Sequence, residues 1–251
     1  MTSTRIIARL DVKGKNLIKS VHLEGLRVVG DPQLHAENYY QDGADELLYM
    51  DTVASLYGRN NLSNIVERTA ENVFIPITVG GGIRSVADVR KLMSCGADKV
   101  ALNTAAIENP YLISEIASVF GVQSIVLSVE ASRKPDGGWW VYTSNGRDKS
   151  EYELLEWLNK AVELGAGEIL LTSIDNEGTN KGFDLDLVSV AHQALNVPII
   201  ASGGMGRVED IMHAVSAGAD AIATADLIHY GKIKISEMKH AQNPKFVKVR
   251  L

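Results

Sequence analysis

The chain repeats itself, and the repeat limits the folds open to it. The segment IPITVGGGIRSVADVRKLMSCGADKV, from Ile75, matches VPIIASGGMGRVEDIMHAVSAGADAI, from Val197. Pro76 and Pro198 are one residue pair in this register (198 − 76 = 122). Gly81-Gly82 and Gly203-Gly204 keep the same offset, as do Gly96-Ala97-Asp98 and Gly218-Ala219-Asp220. So do Gly43-Ala44-Asp45-Glu46 and Gly165-Ala166-Gly167-Glu168. Self-similarity at a fixed period is the mark of a duplicated architecture. It predicts two similar halves, about 1–122 and 123–251, within a single domain spanning 1–251.

What repeats is a strand followed by a helix. Short runs rich in Ile and Val recur at Ile6–Val12, Glu46–Asp51, Ile75–Gly81, Lys99–Thr104, Ser124–Glu130, Glu168–Ile174, Val197–Gly203 and Ala221–Asp226. They are mostly continuous rather than alternating, as expected of strands buried on both faces. Helical spacing with charged faces appears between them, at Ser85–Ser94, Asn109–Phe120, Glu151–Glu163 and Val208–Ser216. Eight strands alternating with helices imply a parallel sheet. At this length a closed (βα)8 TIM barrel is the leading α/β architecture. An open doubly wound sheet is the runner-up, and it gives no reason for the repeat. Ala131–Ser150 interrupts the alternation, and its Asp136-Gly137-Gly138 before Trp139–Tyr142 reads as a hairpin.

Composition excludes several function classes. The 251 residues are 45% hydrophobic and 22% charged, which is ordinary for a globular domain. A formal charge of -6 argues against a nucleic-acid-coating surface. Cys95 is the single cysteine, so an intrachain disulfide and a Cys-rich zinc site are both excluded. The histidines His22, His35, His192, His213, His229 and His240 lack metal-ligand spacing, and no metal or cofactor is expected. No apolar run approaches the roughly 20 residues that span a bilayer. Arg9 and Asp11 break the apolar start, so a signal peptide is not expected and the predicted location is cytoplasmic.

In such a barrel the active site lies at the C-terminal ends of the strands. Carboxylates sit there: Asp11, Asp51, Glu130 and, just beyond the sixth run, Asp175 and Glu177. Asp11 and Glu130 close the first strand of each half, which sets them across the mouth from each other. Opposed carboxylates suit acid–base catalysis. A strand-end Asp also serves commonly to cap the next loop or helix. Glycine turns follow strands three and seven, at Gly80-Gly81-Gly82 and at Ser202-Gly203-Gly204, and each leads into a helix. Backbone amides at a helix start bind anions. With Asn103-Thr104 and Thr224-Ala225 ending the next strands, two matched phosphate sites are predicted. Lys19 and Gly178 complete the candidate set, Lys19 as a loop cation over the mouth or as a merely solvated side chain. At the other end, Arg5, Glu46, Lys99 and Glu168 begin strands one, two, four and six. That ring of alternating charge is either a salt-bridged plug or a gate to the barrel axis.

The residues RIIARLDVKG at Arg5–Gly14, GDP at Gly30–Pro32, GADEL at Gly43–Leu47 and VERTAENVFIPITVGGGIRS at Val66–Ser85 resemble the cyclase subunit of imidazole glycerol phosphate synthase (HisF). GADKVALNTAA at Gly96–Ala106, ELGAGEILLTSID at Glu163–Asp175 and IIASGGMG at Ile199–Gly206 extend the resemblance over nearly the whole chain. The resemblance implies a duplicated half-barrel. It also implies a separate HisH-like glutaminase docked at the N-terminal face. Ammonia would then pass the ring of Arg5, Glu46, Lys99 and Glu168 toward a doubly phosphorylated substrate. Asp11 and position 130 would be the acid–base pair, and Asp11→Asn is expected to abolish turnover with little loss of stability.

Four positions depart from that pattern. Position 130 is Glu rather than Asp, Glu177 replaces Asp, Arg9 replaces a small residue, and Asp226 stands where the second phosphate site has Ser. HLEGLR at His22–Arg27, ASLYGRN at Ala54–Asn60 and NEGTNKGFD at Asn176–Asp184 resemble a paralogous branch. That branch implies a sugar amidotransferase partner and amidination of a surface-polysaccharide sugar. Two other readings stand beside it: the housekeeping cyclase of histidine biosynthesis, and a non-catalytic ammonia conduit that activates the glutaminase.

Overall fold

The computed structural model describes residues 4–54 and 62–240. Of the ASLYGRN segment only Ala54 falls within them. Eight parallel strands form the barrel: β1 (Arg5–Lys13), β4 (Glu46–Asp51), β5 (Ile77–Gly80), β6 (Lys99–Leu102), β7 (Ile125–Arg133), β10 (Glu168–Ser173), β11 (Ile199–Ser202) and β12 (Ala221–Thr224). Each pairs with the next, and β12 pairs back to β1, so the sheet closes. The predicted eight runs are these eight strands, and the open sheet is excluded.

Two antiparallel extensions rise from the barrel. β1 continues into β2 (Asn16–Val21) and β3 (Glu24–Gly30), and β7 into β8 (Trp139–Thr143) and β9 (Asp148–Glu153). The second contains the hairpin read from the sequence. The first takes the place of the loop expected around Lys19. Its turn is His22-Leu23, with φ of 50° and 61°, and hairpin turns of this kind usually carry Asn or Gly. The Glu151–Glu163 helix also needs correcting. Residues Glu151 to Glu153 belong to β9, where Tyr152 is buried, and the helix is Leu154–Glu163.

Helices cover the outside, among them α1 (Pro32–Gln41), α2 (Ser63–Ala70) and α3 (Val86–Ser94). Ser85 caps the start of α3: its Oγ accepts the Asp88 amide at 3.2 Å and donates to Asp88 Oδ2 at 2.9 Å. The repeated Gly-Ala-Asp has a structural task. Gly96 and Gly218 turn the chain at φ of 104° and 108°. Asp98 Oδ2 then accepts the Ile77 amide at 2.8 Å, and Asp220 Oδ2 accepts the Ile199 amide at 2.9 Å. Asp45 does the same for Ile6 at 2.8 Å. Each bond ties the start of a barrel strand to the loop entering its neighbour, and satisfies an amide at the strand end.

Two apolar layers follow from the twofold alternation of strands. The larger lies between sheet and helices. The smaller fills the lumen with Ile7, Leu48, Ala101, Val126, Leu170, Ile200, Ala221 and Ala223. Among the described residues no helix is long and apolar enough to cross a membrane.

Candidate active site at the barrel mouth

Alternation along each strand sorts the lumen by height. On β1 the inward column is Arg5, Ile7, Arg9 and Asp11, about 20 Å from end to end at ~3.3 Å per residue. Glu46 and Leu48 on β4, Lys99 and Ala101 on β6, and Glu168, Leu170 and Thr172 on β10 follow the same order. The lumen therefore has a charged floor, an apolar waist and a polar mouth.

The floor is a closed ring. Arg5 Nη1 meets Glu46 Oε1 at 2.5 Å, and its Nη2 meets Glu168. Lys99 Nζ lies 3.2 Å from Glu46 and 2.8 Å from Glu168. Burial opposes the charge on Arg5, but Glu168 and Glu46 outweigh it and hold the guanidinium above its ordinary pKa. All four predicted ring residues come together. Asp98, next to Lys99 of the ring, is engaged by the Ile77 amide.

At the mouth, Arg9 and Asp11 are 3% and 2% exposed. Arg9 Nε donates to Asp11 Oδ1 at 2.9 Å. Its Nη1 crosses the lumen to Thr172 Oγ1 at 3.1 Å and Ser202 Oγ at 3.0 Å. Burial works against this cation too, and Asp11, then Glu177 and Glu130, hold it charged. Glu130 is buried, and Oε2 accepts the Gly146 amide at 2.8 Å. Burial pushes its carboxyl up to about 7, although Arg9 and the Gly146 bond pull the other way.

The first cleft holds about 90 Å³ and joins Asp51, Gly81, Gly82, Asn103, Thr104 and Glu130. Gly81 has φ of 100°, and a Cβ there would meet Asp51 O at 2.5 Å, so only glycine fits. Asp51 caps the turn below by accepting the Val53 amide at 3.1 Å, and burial raises its pKa. Sequence reasoning missed the turn that closes this cleft. Ser144, Asn145 and Gly146, between β8 and β9, all have positive φ. Thr104 Oγ1 accepts the Ser144 amide at 3.1 Å, and Asn103 Nδ2 donates to Tyr142 O at 3.2 Å. Asn103 Oδ1 is buried without a hydrogen-bond partner. The Asn145-Gly146 pair was the available signal, being a strong turn dipeptide.

The second cleft holds about 20 Å³, room for roughly one water. Gly178, Ser202, Gly203, Gly204, Thr224 and Ala225 line it, with Arg9, Lys19, Glu177 and Asp226. Lys19 is not a solvated loop cation. It is buried in β2 and ion-paired with Glu177. Asp226 heads a short helix, α4 (Asp226–His229), and turns to Lys232 Nζ at 2.5 Å. Asp175 stands apart from both clefts. It is exposed, and it accepts the Ser132 hydroxyl and the Arg133 amide, each at 2.8 Å. Among the described residues no three His, Cys, Asp or Glu side chains are placed to hold a metal ion.

Comparisons with known proteins show which family the chain resembles. The family described as "Histidine biosynthesis protein" matches residues 5–234. An imidazole glycerol phosphate synthase subunit HisF from Legionella pneumophila is 64% identical over 210 residues, which is 84% of this chain and 99% of that protein. The HisF subunit of Bifidobacterium adolescentis is 48% identical over 244 residues, 95% of each chain. That of Mycobacteroides abscessus is 48% identical over 254 residues, 99% of each.

Proposed function

This chain belongs to the histidine biosynthesis protein family, as a member of its HisF group, and from that premise we propose that it is the ammonia-using cyclase subunit of an imidazole glycerol phosphate synthase. The observation that carries the reading is the mouth itself: two buried carboxylates, Asp11 and Glu130, beside a cleft lined by Gly81, Gly82, Asn103 and Thr104. Ammonia adding to a substrate carbon must lose a proton, and the oxygen it displaces must gain one. Glu130, pushed up to about 7 by burial, is the donor. Asp11, ion-paired to Arg9, is the acceptor. The glycine-turn amides hold phosphate.

A HisH-like glutaminase docks at the N-terminal face, and its ammonia enters through Arg5, Glu46, Lys99 and Glu168. The work is cytoplasmic. A duplicated half-barrel, about 1–122 and 123–251, accounts for the matched Asp98 and Asp220 bonds. The relatives bear the name of the histidine enzyme, which fits the housekeeping reading better than sugar amidination. The lipopolysaccharide role and its sugar amidotransferase rest on motif resemblance alone.

One observation favours a second reading, the non-catalytic conduit: Arg9 binds Asp11 and reaches Ser202 in the second cleft. Complementation separates the two. A histidine auxotroph lacking its cyclase is rescued by this chain if the first reading holds. Failure by well-expressed, folded protein favours the conduit.

A further inference from the structure

The two glycine-turn clefts differ in how they are filled. The first is open, with about 90 Å³ free, and the second retains about 20 Å³. Arg9 lines the second cleft and not the first. Its guanidinium lines the second cleft and donates to Ser202, the residue that begins the Ser202-Gly203-Gly204 turn. Every charged group facing that cleft already has a partner of opposite sign. Arg9 holds Asp11, Lys19 holds Glu177, and Lys232 holds Asp226. No cation there is left to attract an anion, and the free volume is that of about one water. The anchors of Arg9 lie on three strands, β1, β10 and β11, so the side chain is fixed from both sides of the lumen.

We propose that Arg9 is a specificity-determining residue that closes the second glycine-turn cleft from inside, so that free phosphate fills only the Gly81-Gly82 turn, and the second phosphate of the cyclase's doubly phosphorylated substrate enters only by displacing Arg9 from Ser202. A ligand with one phosphate binds without disturbing the lumen. A ligand with a phosphate at each end has to strip Arg9 from Ser202 and expose its pair with Asp11. The inference rests on the reading of the glycine turns as phosphate sites.

The probe is inorganic phosphate, and the readout is its stoichiometry by titration calorimetry together with the positions seen in phosphate-soaked crystals. The wild-type chain is expected to bind one phosphate, at Gly81-Gly82. Arg9→Ala is expected to bind two, the second at Gly203-Gly204. Because Arg9→Ala leaves Asp11 buried without its cation, the double variant Arg9→Ala/Asp11→Asn serves as the folded alternative, with the same expectation. Two phosphates on the wild-type chain, or one on every variant, overturns the role of Arg9 alone. No phosphate on any of them overturns both this role and the phosphate reading beneath it.

Discussion

Glu130 Oε2 accepts the backbone N–H of Gly146 at 2.8 Å, so the tip of the β8–β9 hairpin is tied to a carboxylate deep in the barrel mouth. That bond stabilises the ionised form, yet burial wins and the carboxyl titrates near 7, well above its ordinary 4.5. A raised folded-state value means that the folded chain binds the proton more tightly than the unfolded one. The stabilisation is complete below about 4.5 and is lost as pH rises through 7. The expected loss between pH 5 and 8 is on the order of 3 kcal/mol. Glu130→Gln should flatten that part of the profile. Urea unfolding of both proteins across this range measures it, and parallel wild-type and variant curves would remove Glu130 as the source.

The floor ring makes a separate prediction. Arg5 bridges Glu46 and Glu168, and Lys99 closes the same pair from the other side. Arg5→Ala leaves two carboxylates sharing one lysine. Because Arg5 is part-exposed, the expected cost is about 1–2 kcal/mol. If the ring gates ammonia, turnover with glutamine in the glutaminase complex should change relative to turnover with added ammonium. An unchanged ratio would leave the ring as a salt-bridged plug only.

Gly81→Ala tests the first cleft. The new Cβ would sit 2.5 Å from a backbone oxygen at a φ of 100°. Destabilisation of about 2–4 kcal/mol is expected. Inorganic phosphate should raise the melting temperature of the wild-type chain but not of the variant. Equal shifts in both would move the anion site elsewhere.

Much of this was legible in the sequence, for physical reasons. The buried strands read as Ile- and Val-rich runs, and the repeat implied closure. Because side chains alternate along a strand, Arg9 and Asp11, two residues apart, share the inward face of β1. What was not legible depends on closure itself. Arg9 reaches Thr172 and Ser202 across 163 and 193 residues of chain, a contact set by barrel register rather than local pattern. Lys19 was misread because the β2–β3 hairpin turns at His22-Leu23, without the Gly or Asn that usually announces such a turn. Asp175 was grouped with the mouth by its position after a strand, but its carboxylate caps the start of the β7 extension instead.

The structure also revises one expectation for Asp11. Its replacement by Asn was expected to cost little stability. Arg9 is buried against it, and removing the charge leaves the guanidinium with only the hydroxyls of Thr172 and Ser202 in direct contact, a loss of roughly 3 kcal/mol. Denaturation of Asp11→Asn measures this, and a change below about 0.5 kcal/mol, the range of ordinary surface substitutions, would show that the pair contributes little.

The most direct test of the central claim is cyclase turnover with ammonium as nitrogen source, wild type against Asp11→Asn, each normalised to its folded fraction. The account expects turnover by the wild-type chain and a loss of at least about 100-fold in the variant, the scale of a missing acid–base group. No turnover by folded wild-type protein, or equal turnover by the two, would contradict it.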